Sequence, residues 1–194
     1  CAGRTRSIIG AQSLINAGIP NKVVALRGGT QGWVLSGHKL AHGASDSFGP
    51  VTAQGQAQGK KVIASVQQRY GVRSVDRATL DRWRAERDQR TLHIIDVRSE
   101  AEYAAGHLAD AIGVPGGQLV QASDRWIGTR GARVVLVDDT EVRATMTAHW
   151  MLQMRWDVYV LAGGFGNDAT TSTVPQRQVL GQQDYVTEEI EATA

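Results

Sequence analysis

Leu92-His93-Ile94-Ile95-Asp96-Val97 is an apolar run of strand length that stops at Arg98 and Ser99, and its reading decides the fold. Two runs of the same kind follow, Arg133-Val134-Val135-Leu136-Val137 and Asp157-Val158-Tyr159-Val160-Leu161, the second closed by Gly163 and Gly164. Near-continuous Val, Ile and Leu marks strands covered on both faces. Helical stretches lie between them: Ser99–Ala105, then Gln118–Trp126 after an irregular passage through Pro115 to Gly117, then Arg143–Met154. A further helix runs from Val75 to Asp88, with Ser74 or Asp76 as its cap and Leu80 and Trp83 facing inward. Strands alternating with helices predict an α/β unit over residues 74–166. Its central parallel sheet is flanked by helices and joined by right-handed crossovers.

Upstream, residues 1–43 read as loop, helix, strand and Gly-rich loop. Ile8, Ile9, Ala11, Leu14, Ile15 and Ala17 fit one helical face, which Gly18 and Pro20 bring to an end. Lys22–Leu26 is a short apolar run of strand length ended by Gly28 and Gly29. Residues 44–73 begin as a Gly-, Ser-, Gln- and Ala-rich linker and regain helical spacing from Gln58 to Tyr70 through Val62, Ile63 and Val66. Residues 167–194 return to Thr, Ser, Gln and Pro, a linker towards a further domain whose last ten residues start another helix.

The two halves repeat each other. Cys1–Arg6 lies over Asp138–Arg143, and the helices that follow coincide. After a two-residue gap, Val23-Val24-Ala25-Leu26-Arg27-Gly28-Gly29 lies over Val158-Tyr159-Val160-Leu161-Ala162-Gly163-Gly164. Residues 1–43 therefore read as the second half of a unit whose first half is not in the sequence. One helix and one strand cannot bury a core of their own. The expectation is a piece of a longer tandem protein, inactive on its own, with an apolar strand immediately before Cys1. A lipidated mature N-terminus at Cys1 is the rival reading.

Composition closes off several classes. Hydrophobic residues at 42% and charged residues at 21% exclude wholesale disorder. A single Cys excludes an intrachain disulfide framework and a Cys-based zinc site. No apolar run is long enough to cross a membrane, and no basic segment leads into an apolar one at the start, so the expected location is cytoplasmic. Aromatics at 6%, without an interleaved basic patch, argue against nucleic acid. Charge is uneven: Arg4, Arg6, Lys22, Arg27 and Lys39 precede the first acid, Asp46, while Asp184, Glu188, Glu189 and Glu191 crowd the tail. A basic head suits an anionic ligand.

Cys1-Ala2-Gly3-Arg4-Thr5-Arg6-Ser7 sits directly before a helix. Loop N–H groups, the positive helix end and two arginines all lower a thiol pKa and supply thiolate at neutral pH. Gly3 lets the backbone approach a ligand, and Arg4 and Arg6 can hold a tetrahedral oxyanion. A lone Cys is more often a buried core residue; the loop context reverses that reading here.

Cys-x-Gly-x-x-Arg before a helix, a strand, and then Gly28, Gly29, Gly32 and Trp33 resembles the second half of a rhodanese domain, the sulfurtransferase fold. Residues 74–166 resemble a complete one through Asp96-Val97-Arg98, Glu102-Tyr103, Gly106-His107 and Pro115, and the layout is similar to bacterial multidomain rhodaneses. The resemblance implies a catalytic Cys1 that carries a persulfide, with Ala2, Gly3, Arg4, Thr5, Arg6 and Ser7 binding substrate. It implies a small-molecule sulfur donor (thiosulfate or 3-mercaptopyruvate), a cyanide or thiol acceptor, and no cofactor or metal. In the complete unit Asp138 stands where the Cys belongs, with Asp139 and Glu141 beside it and Arg143 retained, so that site is expected to be degenerate and silent. The alternatives are a non-catalytic binding or regulatory module, or a protein sulfur carrier. The missing half-domain is the expected partner, and a homo-oligomer is open. Among single residues, His107 is read as fixing a turn, and Asp96, Arg98 and Glu102 as a structural ion-pair set. Trp83, Trp126, Trp150 and Trp156 are read as packing residues, and Trp33 as packing or as lining the Cys1 pocket.

Overall fold

The computed structural model describes residues 5–43, 49–164, 166 and 170–173. In chain order the elements are α1 (Thr5–Asn16), α2 (Gly29–Leu35), α3 (Ala53–Tyr70), β1 (Arg73–Val75), α4 (Arg77–Ala85), β2 (Leu92–Asp96) and α5 (Glu100–Ala105). They continue with β3 (His107–Leu108), β4 (Ile112–Gly113), α6 (Gly116–Gln121), α7 (Ser123–Trp126), β5 (Arg133–Val137), α8 (Val142–Gln153), β6 (Asp157–Leu161) and β7 (Thr170–Thr171).

The three apolar runs form the middle of a parallel sheet of order β1-β6-β5-β2-β4, in which Ile94 lies opposite Val135 and Val135 opposite Tyr159. Alternation along each strand divides the core in two. Ile95, Val97, Val134, Leu136, Val158 and Val160 face one side, covered by Ala144, Ala148 and Met151 of α8 and Leu119 of α6. Leu92, Ile94, Val135, Val137 and Leu161 face the other, covered by Leu80 of α4 with Leu108 and Ala111. A fully buried side chain such as Leu80 contributes about 1.5–3 kcal/mol by leaving water. A small antiparallel pair, β3 with β7, lies apart from the main sheet.

Several helix ends are set by side chains. Thr52 Oγ1 accepts the Gly55 N–H at 3.1 Å and starts α3, and Asp76 Oδ1 accepts the Thr79 N–H at 2.8 Å and starts α4. Ser99 and Glu102 form a reciprocal capping box at α5.

Four expectations need correction. Lys22–Leu26 is extended but is not a strand. A strand exists only with a hydrogen-bonded neighbour, and none flanks this segment among the described residues; Val24 and Leu26 are 72% and 52% exposed. The Gly-rich stretch after it holds a helix, α2, that begins where Gly28 turns left-handed at φ 68°. The linker is shorter than its composition suggests, because α3 begins at Ala53. The stretch Gln118–Trp126 is two short helices broken at Ala122, whose φ of −145° no helix accommodates. The short strand β1 went unread because only Val75 of its three residues is apolar and buried. The helix expected in the last ten residues lies outside the described residues.

Candidate active site

The loop from β5 to α8 shows what this strand–loop–helix corner can hold. Asp138 follows β5 directly and is buried. Its Oδ1 accepts the Glu141 N–H at 2.6 Å, and its Oδ2 accepts the Arg143 N–H at 2.9 Å and the Thr140 hydroxyl at 3.4 Å. The amides of the turn thus converge on one anion, as a nest at a helix start does. Burial pushes the Asp138 carboxyl up, against the two amide bonds and Arg143, which pull it down. Glu141 is held left-handed at φ 65° while its Oε1 accepts the Gly163 N–H at 3.0 Å. The glycine turn packs against the loop: a side chain at Gly164 would strike the Asp138 carbonyl oxygen.

Arg143 is not available to a ligand. Its guanidinium donates to both Glu102 oxygens at 2.8 and 2.9 Å and to Asp139 Oδ1 at 2.9 Å. The pairing holds Glu102 down at about 2 and raises Arg143. Glu102, Asp138 and Asp139 therefore surround a single guanidinium, Glu141 adds another acid to the loop, and the corner repels an incoming anion.

This pairing also corrects the expected ion-pair set. Asp96 and Arg98 do form it, buried and bidentate at 2.7 and 3.0 Å, and Arg98 donates on to the Gly106 carbonyl at 2.6 Å. Glu102 belongs to Arg143 instead, and it also closes the capping box with Ser99 at the start of α5. His107 is buried, stacks on Tyr103 with ring centroids 3.7 Å apart, and donates from Nδ1 to the Tyr103 carbonyl at 2.7 Å, in keeping with its reading as a turn residue. Trp156 is buried and Trp83 packs at the core edge, as expected. The indole of Trp33 donates to the Lys39 carbonyl at 2.9 Å.

Of the candidate site at the chain start, Cys1, Ala2, Gly3 and Arg4 lie outside the described residues. Thr5, Arg6 and Ser7 form the first turn of α1. That helix is docked on α8: the Trp150 indole N–H donates to Ser13 Oγ at 2.8 Å, and the Asn16 amide donates to His149 Nε2 at 3.2 Å. His149 Nδ1 donates to the Met146 carbonyl at 2.6 Å, and burial pushes the ring's pKa down, so Nε2 is the free acceptor. Sequence pattern did not point to this junction, because Asn16 and His149 are 133 residues apart. A cavity of about 290 Å³ opens between the two helices with Arg6 on one side and Arg143 on the other. The glycine turn after the extended segment matches the later one: φ is 68° and 56° at Gly28 and Gly29, and 76° and 61° at Gly163 and Gly164. Both turns close with the same bond, Gly29 N–H to Leu26 at 2.9 Å and Gly164 N–H to Leu161 at 3.1 Å.

Residues 79–168 match the rhodanese-like domain family. A solved thiosulfate sulfurtransferase from Pseudomonas aeruginosa is 49% identical over 91% of this chain, with a TM-score of 0.81. Residues 79–168 belong to the rhodanese family. The chain spans 34% of that Pseudomonas protein. A rhodanese-related protein from Thermoplasma volcanium is 18% identical over 52% of this chain and 99% of its own, with a TM-score of 0.43. A rhodanese homologue from Thermus thermophilus is 19% identical over 48% of this chain and 96% of its own, with a TM-score of 0.38. No curated protein matches the sequence. The parallel sheet with flanking helices is the rhodanese fold expected from the sequence. Among the described residues no helix is long and apolar enough to cross a membrane.

Proposed function

We propose that the Cys1 loop is the working site of a sulfurtransferase that moves a sulfur atom from thiosulfate, or 3-mercaptopyruvate, to cyanide or a thiol. One observation carries the reading: the turn amides at Glu141 and Arg143 close on the Asp138 carboxylate. In the repeat, Cys1 stands at the position of Asp138, and Arg4 and Arg6 at those of Glu141 and Arg143. The same corner then presents its N–H groups to a sulfur instead of a carboxylate, and favours the negative charge of thiolate and persulfide.

With thiosulfate, the Cys1 thiolate attacks the outer sulfur. The sulfur–sulfur bond of the donor breaks, and sulfite departs with the bonding pair. Cyanide or a thiolate then attacks the outer persulfide sulfur; the bond to Cys1 Sγ breaks and its thiolate returns. Arg4 and Arg6 hold the oxyanion. No acid precedes Asp46, and among the described residues Arg6 has no carboxylate partner, whereas Arg143 is saturated. A non-catalytic role suits the complete unit, whose anion site Asp138 already fills.

In the full-length protein, Cys1→Ser is expected to abolish thiosulfate-dependent thiocyanate formation and the gain of one sulfur atom in the intact mass after thiosulfate treatment. Unchanged turnover overturns the proposal. Sulfur gain with poor turnover on cyanide and efficient transfer to a protein thiol identifies a sulfur carrier.

A further inference from the structure

The cavity of about 290 Å³ between α1 and α8 is apolar along its length and charged at its ends. Ile9 of α1, Val120 of α6, and Met146 and Trp150 of α8 form its walls, with Val97 beneath them. Val97 and Val120 are buried against the rest of the fold. A side chain at Gly10 or at Gly117 would meet nothing within 4 Å, so the open space reaches the backbone of α1 on one side and of α6 on the other.

The polar groups of the lining are committed, except at one end. Ser13 Oγ accepts the Trp150 indole N–H at 2.8 Å, and the Thr147 hydroxyl donates to the Arg143 carbonyl at 2.7 Å. The Arg143 guanidinium is shared by Glu102 and Asp139, at 2.8 and 2.9 Å, which leaves its end of the cavity net negative. Arg6, at the other end, is exposed, and among the described residues no carboxylate pairs with it. The cavity therefore offers one guanidinium to an anion and repels a second negative charge. Thiosulfate, a dianion without apolar surface, suits neither property.

We propose that this cavity binds an organic monoanion with an aromatic body. Its carboxylate pairs with the Arg6 guanidinium, and its ring lies against Met146 and Trp150 over Val97. An apolar hollow with one well-placed charged group is the ordinary build of a small-molecule site, and its volume, at the low end of the usual range of roughly 300–1,000 Å³, limits the body to one or two rings. Arg6 is also the residue assigned above to the donor's oxyanion, so the bound monoanion competes with thiosulfate. That consequence alone rests on the sulfur chemistry; the binding does not.

The test titrates the full-length protein with phenylacetate in a calorimeter, where a Kd of about 1 mM or tighter is expected. Phenylacetamide keeps the ring and loses the charge; para-phenylenediacetate adds a second charge that faces Glu102 and Asp139. Each should bind at least about tenfold more weakly than phenylacetate, and so should phenylacetate to Arg6→Gln. Gly10→Leu and Gly117→Leu fill the cavity from opposite walls, and leucine favours helix at both positions. Each should remove binding in a protein that still melts cooperatively. Cys1→Ser should bind phenylacetate as the wild type does, which separates this site from the sulfur chemistry. No binding, equal binding of the amide or the diacid, or undiminished binding in a folded cavity-filled variant overturns the proposal. So does loss of binding in Cys1→Ser, because the anion then sits at the thiol.

Discussion

Arg143, in the first turn of α8, grips both carboxylate oxygens of Glu102, in the first turn of α5, at 2.8 and 2.9 Å. This clamp ties the loop from β5 to α8 to the helix that follows β2 and commits the Arg143 guanidinium to carboxylates. Its pH dependence has a definite sign. Arg143 and Ser99 hold Glu102 at about 2, against 4.5 when free. A depressed acid pKa means that the stabilisation is whole above 4.5 and fades as pH falls towards 2. Both groups are more than a third exposed, so solvent screening keeps the gain to about 0–1 kcal/mol. Urea melts should show wild type ahead of Glu102→Gln at pH 6 and level with it at pH 2. A gap independent of pH contradicts the assignment.

Asp138 titrates in the opposite sense. Burial raises its pKa, so in the fold the charged form is penalised, and whatever the group contributes is greatest below its unfolded pKa and declines as pH rises. The carboxylate nevertheless satisfies two loop amides. Asp138→Ala leaves the N–H groups of Glu141 and Arg143 without that acceptor and is expected to cost about 1–3 kcal/mol at neutral pH. Asp138→Asn retains an oxygen and sheds the buried charge, and should cost less. Chemical denaturation of the three proteins at pH 7 checks the order; equal stability of Ala and Asn variants would count against the nest.

The sheet was legible because its three central strands are buried on both faces. Leu92–Asp96, Arg133–Val137 and Asp157–Leu161 are where their apolar runs put them. What escaped reading was tertiary in origin. β1 is too short to show a period, and Lys22–Leu26 has the apolar run of a strand yet no strand beside it among the described residues. At the site, Asp138 and Arg143 could be named from the repeat, and the acidity of the loop followed from Asp139 and Glu141. That Glu102 neutralises Arg143 could not, because the two are 41 residues apart and Asp96 and Arg98 are the charged residues nearest to Glu102 in sequence that the motif groups with it.

The junction between α1 and α8 should respond to acid. His149 is buried, its Nδ1 is committed to the Met146 carbonyl, and its Nε2 accepts from Asn16. The rings of Tyr70 and Trp150 flank it with centroids 5.0 Å away, and neither carries a negative charge to steady an imidazolium. Burial lowers its pKa from 6.5, so its contribution is present above 6.5 and is lost as pH falls through the depressed value. His149→Asn, whose amide can still reach the Met146 carbonyl, should flatten the rise in Tm from pH 5 to pH 7.5. His93, which burial also pushes down, keeps its share of that slope. An unchanged slope in the variant refutes a role for this ring.

The loop from β5 to α8, which we propose to be silent, allows the reason for that silence to be tested. In a Cys1→Ser background, Asp138→Cys alone should take up little sulfur from thiosulfate. The new thiol would sit among the loop amides, but Asp139 and Glu141 repel the dianion and Arg143 stays clamped by Glu102 and Asp139. Replacing Asp138–Val142 by Cys-Ala-Gly-Arg-Thr, the sequence of Cys1–Thr5, removes both repelling acids and one arm of the clamp and adds a guanidinium. Removing like charge and adding opposite charge raises encounter rates by about tenfold or more. Persulfide formation, followed by intact mass over time in thiosulfate, should therefore be at least about tenfold faster in the graft than in the single substitution, and the advantage should shrink as salt rises. Equal rates would mean that the missing thiol alone, and not the charge around it, keeps this unit silent.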